Sequence, residues 1–417
     1  MIEFKRLLQQ QVLASLSAFP AVYIAGPRQA GKTTLVKHIA AGPHPANYIS
    51  FDNIQVRTAA TRDPETFLAS LQGPVILDEF QLVPELFRPL KIIIDEQRMT
   101  KDKGRGKFLL TGSASVMALP KLSDALVGRL ALHTLLPFSM REFSNGKQNT
   151  FIEYAFTKEW HFEKVPAFNL QQAMTQASFP ELYELNSGET RQQWCNSYIE
   201  TILQRDIKAL IKIEKIELLP NMLRFIANQT GGLLNETSLS KNLGINHVTT
   251  KRYRLLLESL FLIHTIPAWS TNLSKRLIKA PKLYLTDMNL LAFLLNFELE
   301  TMTALNSSYY GQLVENFVAI ELTKQLHFSK INAQLYHYRT ASGQEVDFLL
   351  EGPEQQIVGI EVKARKRITD KDFRHLETLQ SELGKKFRTG FIIYTGNEVI
   401  PFGKDLWAIP ISSLWSD

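Results

Sequence analysis

The sequence predicts an α/β protein founded on a parallel sheet, and three observations carry that prediction. A glycine-bounded loop at residues 26–34 lies between a short apolar run and a pattern of apolar residues at helical spacing. A second apolar run, residues 75–77, ends in the acids Asp78 and Glu79. Strands and helices alternate around both, the pattern of a parallel sheet covered on two faces. At 417 residues the chain has room for two or three domains. We divide it into a phosphate-binding α/β domain (1–150), a helical connector (151–220), a winged-helix-like domain (221–305) and a second α/β domain (306–417).

The loop comprises Gly26, Pro27, Arg28, Gln29, Ala30, Gly31, Lys32, Thr33 and Thr34, which reads G-x-x-x-x-G-K-T. Glycines let such a backbone curl with its N–H groups toward a polyphosphate, and the following helix N-terminus adds positive potential. In this pattern Lys32 reaches the β- and γ-phosphates and Thr33 holds Mg²⁺. The predicted ligands are therefore ATP and Mg²⁺.

A second strand is expected over 47–52 and one amphipathic helix over 57–70. The strand that follows Gly73-Pro74 ends in Asp78, which would hold the hydrated Mg²⁺, and Glu79, which would polarise the attacking water. A buried helix follows at 91–95, and a basic loop at 101–107 reads as solvated. The strand 108–113 ends in hydroxyls, so Thr111 or Ser113 would face the γ-phosphate as a sensor. Arg129, ahead of a fifth strand over 131–137, is either an arginine finger for the transferring phosphoryl or a solvated loop residue.

The runs 26–34, 75–79, 110–115, 126–130 and 137–143 resemble one family over nearly the whole chain. It is the prokaryotic AAA-type P-loop ATPases with Gly-Pro-Arg-Gln-x-Gly-Lys-Thr-Thr loops and a C-terminal domain of unknown function. The resemblance implies an AAA-type sheet, ATP binding and hydrolysis.

Residues 151–220 alternate aromatics and charges at helical spacing and read as a connector packing on the ATPase domain, with a long helix over 190–215. A helix over 221–230, a short one ending at Gly244 and a third from 245 onward form a helix-turn-helix, with 261–266 and 282–285 as a wing. Thr249, Thr250, Lys251 and Arg252 near the start of the third helix are candidate DNA contacts. The competing reading is a plain packing module.

Two strands near the C-terminus, 343–350 and 359–364, alternate with period two. That period sends Val346, Phe348, Ile360 and Val362 inward, and Asp347, Glu361 and Lys363 outward. Asp347 and Glu361 on neighbouring strands would hold a divalent metal ion, Lys363 would act on the attacking water, and Glu315 would add a further acid. The pattern resembles the restriction-endonuclease-like fold, whose signature is Asp followed after a loop by Glu-x-Lys. Val346 stands where a proline commonly precedes the Asp.

Composition bounds the partners. Hydrophobic residues make up 45% of the chain, enough for real cores, and 47 basic against 41 acidic residues leave +6. That excess permits DNA binding without requiring it. The single cysteine, Cys195, excludes an intramolecular disulfide framework and suits a reducing cytoplasm. No apolar stretch approaches the roughly 18 residues of a membrane span, the first residues lack a leader pattern, and the histidines form no pair at zinc spacing. Two functions fit: an ATP-dependent nucleic-acid-processing enzyme, or a nucleotide switch whose C-terminal parts bind DNA, a protein or another copy without cutting.

Overall fold

Alternation along each strand explains the N-terminal architecture. In β1 (Ala21–Ala25), β3 (Val75–Asp78) and β4 (Phe108–Gly112), every residue is buried. Tyr23, Leu77 and Leu110 join one core with Phe51, Phe80, Phe87, Leu90 and Ile94. Val22, Ile24, Ile76 and Leu109 join another, with Leu8, Val12, Leu16, Leu35, Val36 and Ile39. A strand whose two faces are both buried belongs to the centre of a covered parallel sheet. With β2 (Asn47–Ser50) and β5 (Leu130–Thr134) the order is β2-β3-β4-β1-β5, all parallel. β4 therefore lies between the loop strand and the strand ending in Asp78, and the less buried β2 and β5 form the edges.

In this computed structural model the described residues are 5–99, 104–113, 128–146, 150–158, 168–206, 215–272, 274, 276, 279–304, 307–340 and 342–416. Part of the basic loop (101–103), part of the 110–115 and 126–130 runs, and 207–214 of the expected long helix lie outside them. The chain divides into two compact units, residues 5–137 with 259–261, and residues 138–258 with 262–416.

In the first unit, α1 (Gln9–Ala18) and α2 (Lys32–Ala41) supply one helical layer. The helix expected over 57–70 is two helices, α3 (Ile54–Arg62) and α4 (Pro64–Ala69). Proline disfavours helical backbone in the residue before it. Asp63 accordingly turns to φ −143° and caps α4 by accepting from the Thr66 N–H at 3.1 Å. α5 (Phe87–Gln97) joins α3 and α4 over the other core through Phe87, Leu90 and Ile94.

In the second unit the segment after Pro137 is fastened to α15 (Ser307–Phe328). The Lys324 ammonium donates to the carbonyls of Phe138 and Ala177, both at 2.9 Å. The Met140 N–H donates to Glu321 at 2.8 Å and the Phe151 N–H to Gln325 at 3.0 Å. All of these groups are buried, where a lost partner is expensive. The short helices α6 (Met140–Phe143), α7 (Phe151–Thr157), α8 (Leu170–Gln176) and α9 (Pro180–Glu184) and the longer α10 (Gly188–Thr201) follow. α10 passes into a π turn at Ile202–Asp206 rather than continuing regularly.

Next come α11 (Leu219–Asn228), α12 (Glu236–Leu243) and α13 (His247–Ser259). Gly244 ends α12 in the left-handed conformation, φ 63°, a position that favours glycine. The strands β6 (Ile263–Ile266) and β7 (Lys282–Leu285) pair antiparallel, and Leu233 bridges to Lys282. α14 (Met288–Leu294) leads toward α15.

The last sheet is mixed. β9 (Glu345–Glu351) pairs antiparallel with both β8 (Gln334–Arg339) and β10 (Ile357–Lys363), β11 (Phe387–Tyr394) and β13 (Leu406–Pro410) continue parallel to β10, and β12 (Ile400–Pro401) forms the edge opposite β8. α15 packs against β10, and α16 (Asp370–Leu383) packs over β9, β10 and β11. Helices thus contact the central strand from separate elements, and Glu361, expected to face outward, is only 4% exposed. Among the described residues no helix is long and apolar enough to cross a membrane.

Candidate functional site

The first site is built where β1 runs into α2. Gly26 has φ 156°, and a Cβ there would lie 2.1 Å from the Leu135 carbonyl oxygen, so this crossing requires glycine. Gln29 (φ 60°) and Gly31 (φ 91°) complete the curl. No side chain caps the first turn of α2, which leaves its N–H groups for an anion. Lys32 is 4% exposed, and its ammonium donates to the carbonyls of Gly26 at 2.9 Å and Pro27 at 2.8 Å. Pro27 and Ala30 are buried, whereas Thr34 faces solvent. Arg6 braces the loop, donating to the Ala30 carbonyl at 2.7 Å and to the Leu136 carbonyl at 2.6 Å.

The acids at the end of β3 meet the loop. The Thr33 hydroxyl donates to Asp78 Oδ2 at 2.9 Å, the Tyr48 hydroxyl donates to the same oxygen at 2.6 Å, and Thr111 donates to Oδ1. Burial, then the bond to Asp78, pushes the Tyr48 phenol far above its ordinary value, so it remains a donor. Glu79 has φ 56°, a sparsely populated conformation for a side chain-bearing residue and one found at functional sites. Its carboxylate accepts from Ser113 at 2.8 and 2.9 Å and from Gln81, while its N–H donates to Thr111 Oγ1 at 3.2 Å. Loop, Asp78, Glu79, Thr111 and Ser113 are therefore gathered in one place. Tyr48 and Gln81 escaped the sequence reading, because a tyrosine inside a strand and a glutamine in a turn carry no spacing signal.

Arg129 is not gathered there. It precedes β5, whose first residue pairs with Ala21, at the end of the sheet remote from the loop. Four strand steps of about 3.3 Å put it roughly 13 Å from the loop end of the sheet. Its guanidinium instead forks onto Asp95 at 2.7 and 3.0 Å. In this position its guanidinium does not meet the loop.

A second cluster lies in the other unit. Asp347 on β9 accepts from the Val362 N–H on β10 at 2.8 Å, and Lys363 donates to Glu361 at 2.6 Å. Glu315, on α15, accepts from Tyr284 at 2.7 Å and from Lys282 at 3.0 Å. Lys282 also stands 3.0 Å from Glu345 and 3.7 Å from Asp347. Burial, then the charge of Asp347, pushes both Glu315 and Glu361 well above the carboxylate range. The structure therefore brings Asp347, Glu361, Lys363 and Glu315 into one neighbourhood and adds Lys282, Tyr284, Glu345 and His375, whose Nδ1 is 3.4 Å from Glu361. Period two along β7 and β9 could have found three of these, since Lys282 shares a face with Tyr284 and Glu345 with Asp347. Among the described residues no three His, Cys, Asp or Glu side chains converge as metal ligands would. As arranged, the expected pair Asp347 and Glu361 does not form a metal site, and the Lys282 ammonium stands among the acids.

On α13, Lys251 and Arg252 are exposed and Val248 is 78% exposed, whereas Thr250 is buried and bonded to Ser240 at 3.0 Å. Thr250 is thus a helix-packing residue and cannot contact DNA.

These geometries define a P-loop ATPase fold, and the family comparison agrees: residues 18–144 match the AAA domain family, so the chain carries an AAA domain at its N-terminal end. Residues 167–301 and 310–414 match two domains of unknown function, DUF8612 and DUF4143. Uncharacterized proteins of Mycobacterium bovis and Mycobacterium tuberculosis are each 25% identical over 404 residues, 96% of this chain and 82% of theirs. Among solved structures, the Walker-type ATPase of Pyrococcus abyssi is similar at TM-score 0.41 and 13% identity, over 70% of this chain and 96% of its own.

Proposed function

We propose that the N-terminal unit binds ATP with Mg²⁺ and hydrolyses it, and that the second unit turns this cycle toward a nucleic-acid partner. The observation that carries the ATPase reading is the meeting of Thr33 and Asp78 at 2.9 Å beneath a glycine-bounded loop. The Thr33 hydroxyl and the Asp78 carboxylate, the latter held also by Tyr48 and Thr111, are the hard oxygen donors that Mg²⁺ prefers. Bound there, Mg²⁺ would neutralise charge on the phosphates. Lys32 would exchange its two loop carbonyls for phosphate oxygens, so the ammonium is already held within the loop. Glu79, released from Gln81, would orient the water in line with the γ-phosphate, with Ser113 beside it as the sensing hydroxyl.

The nucleic-acid reading is supported by α11, α12 and α13 followed by the β6/β7 ribbon, a winged-helix arrangement, and by exposed Lys251 and Arg252 on α13. The C-terminal sheet with Asp347, Glu361 and Lys363 supports a restriction-endonuclease-like module. One observation favours the second reading, a switch that binds without cutting: Lys282 stands among the carboxylates.

Steady-state hydrolysis and calorimetric ATP binding test the ATPase reading together. Lys32→Ala should lose ATP affinity. Glu79→Gln should retain ATP and lose roughly 10²–10⁴-fold in turnover. Parental ATP affinity in Lys32→Ala would overturn the assignment of the loop.

A further inference from the structure

We propose that Lys282 decides whether the C-terminal carboxylate cluster takes a divalent cation: its ammonium occupies the position, and the cluster binds such an ion only when the lysine leaves. The inference rests on reading that cluster as a restriction-endonuclease-like site.

Geometry gives the lysine this role. It is 3% exposed, and its ammonium reaches Glu315 and Glu345 at 3.0 Å and Asp347 at 3.7 Å. These acids come from α15 and β9, whereas Lys282 opens β7, whose partners are Ile266 of β6 and the bridged Leu233. The cation is thus lent to the sheet by a different element, the two-stranded ribbon. Glu361 points to a further ligand: its Oε2 accepts from Lys363, but its Oε1 is buried without a hydrogen-bond partner. His375 Nδ1, 3.4 Å from that oxygen, lies closer to the Glu345 carbonyl, at 2.6 Å. Four carboxylates, Glu315, Glu345, Asp347 and Glu361, face two ammonium groups, Lys282 and Lys363, with Arg339 3.8 Å from Glu345 at the margin. An ammonium and a divalent ion cannot share so small a space, because like charges at about 4 Å repel strongly outside bulk water. Withdrawing Lys282 removes that repulsion and leaves Glu315, Glu345 and Asp347 in need of a cation.

The test uses full-length protein without nucleotide and counts bound Mn²⁺ by electron paramagnetic resonance, with circular dichroism reporting folding. Wild type should bind weakly. Lys282→Met and Lys282→Gln should each gain one site tighter by on the order of tenfold or more, and adding Asp347→Asn to either should abolish it. A merely structural lysine would not yield a gain in affinity on removal. Should both variants unfold, wild type supplies the answer. Mn²⁺ at saturating concentration should expel the ammonium and make Lys282 reactive to an amine acetylating reagent, read by mass spectrometry. Folded variants that bind Mn²⁺ as weakly as wild type would overturn this proposal and the cation-site reading beneath it. Wild type that binds as tightly as the variants, with loss in Asp347→Asn, would overturn the role of Lys282 alone. Lys282 that stays unreactive at saturating Mn²⁺ would do the same.

Discussion

At the scale of single residues, both sites are organised by buried charge, with opposite chemistry. Around the loop, Lys32 is neutralised by carbonyl dipoles and Asp78 by three hydroxyls, so each charged group has partners that a phosphate or a metal can replace. Around β10, Glu361 and Glu315 are forced toward the neutral acid by burial and by Asp347. A carboxyl whose folded pKa is raised binds its proton more tightly folded than unfolded, so its contribution is complete below the unfolded value and is lost as pH rises through the folded one. For Glu361 that window runs from its ordinary 4.5 to about 8. The melting temperature of the second unit should therefore fall between roughly pH 5 and pH 8, and Glu361→Gln, neutral throughout, should flatten the fall. Scanning calorimetry in buffers across that range checks it; an unchanged slope in the variant would remove Glu361 as the cause. The loop residues were legible because their chemistry demands fixed spacing. Lys282 was not, because its partners come from α15 and β9 and only tertiary pairing unites them.

At the scale of elements, junctions are made by side chains that stand in for backbone. Asn316 of α15 accepts from the Leu285 N–H at 3.0 Å and donates to the Leu285 carbonyl at 3.1 Å, completing the end of β7 as a neighbouring strand would. Thr230, after α11, donates to the same amide oxygen, so one buried side chain joins helix, ribbon and turn. Asn316→Leu leaves these groups unpaired at about 1–3 kcal/mol each. Urea unfolding should show a loss of several kcal/mol, against less than 1 kcal/mol if water replaces the amide fully. Most strands and helices could be read in the sequence, since period and turn residues specify them locally. The break at Asp63-Pro64 was missed although its signal, a proline behind a capping acid, stood in the chain. The burial of Glu361 had no local signal: alternation gives the face of a residue, and the helices against β10 decide whether that face meets water.

At the scale of the whole molecule, packing divides the chain at Pro137/Phe138, and the middle and the C-terminal sheet form one compact unit. Composition changes gradually across that point, whereas the ties from Lys324, Glu321 and Gln325 that place 138–153 in the second unit span more than a hundred residues of sequence. This partition has an optical consequence. The five tryptophans, Trp160, Trp194, Trp269, Trp407 and Trp415, all fall after the boundary, and the ATP-loop unit contains none. Tryptophan emission, excited selectively, therefore arises from one unit alone. If the nucleotide cycle is felt beyond the AAA domain, adding ATP and Mg²⁺ should alter that emission in wild type and leave it unchanged in Lys32→Ala. An unaltered spectrum at saturating nucleotide would mean that the signal stops at the boundary. A cuvette measurement with no attached dye therefore suffices for the test.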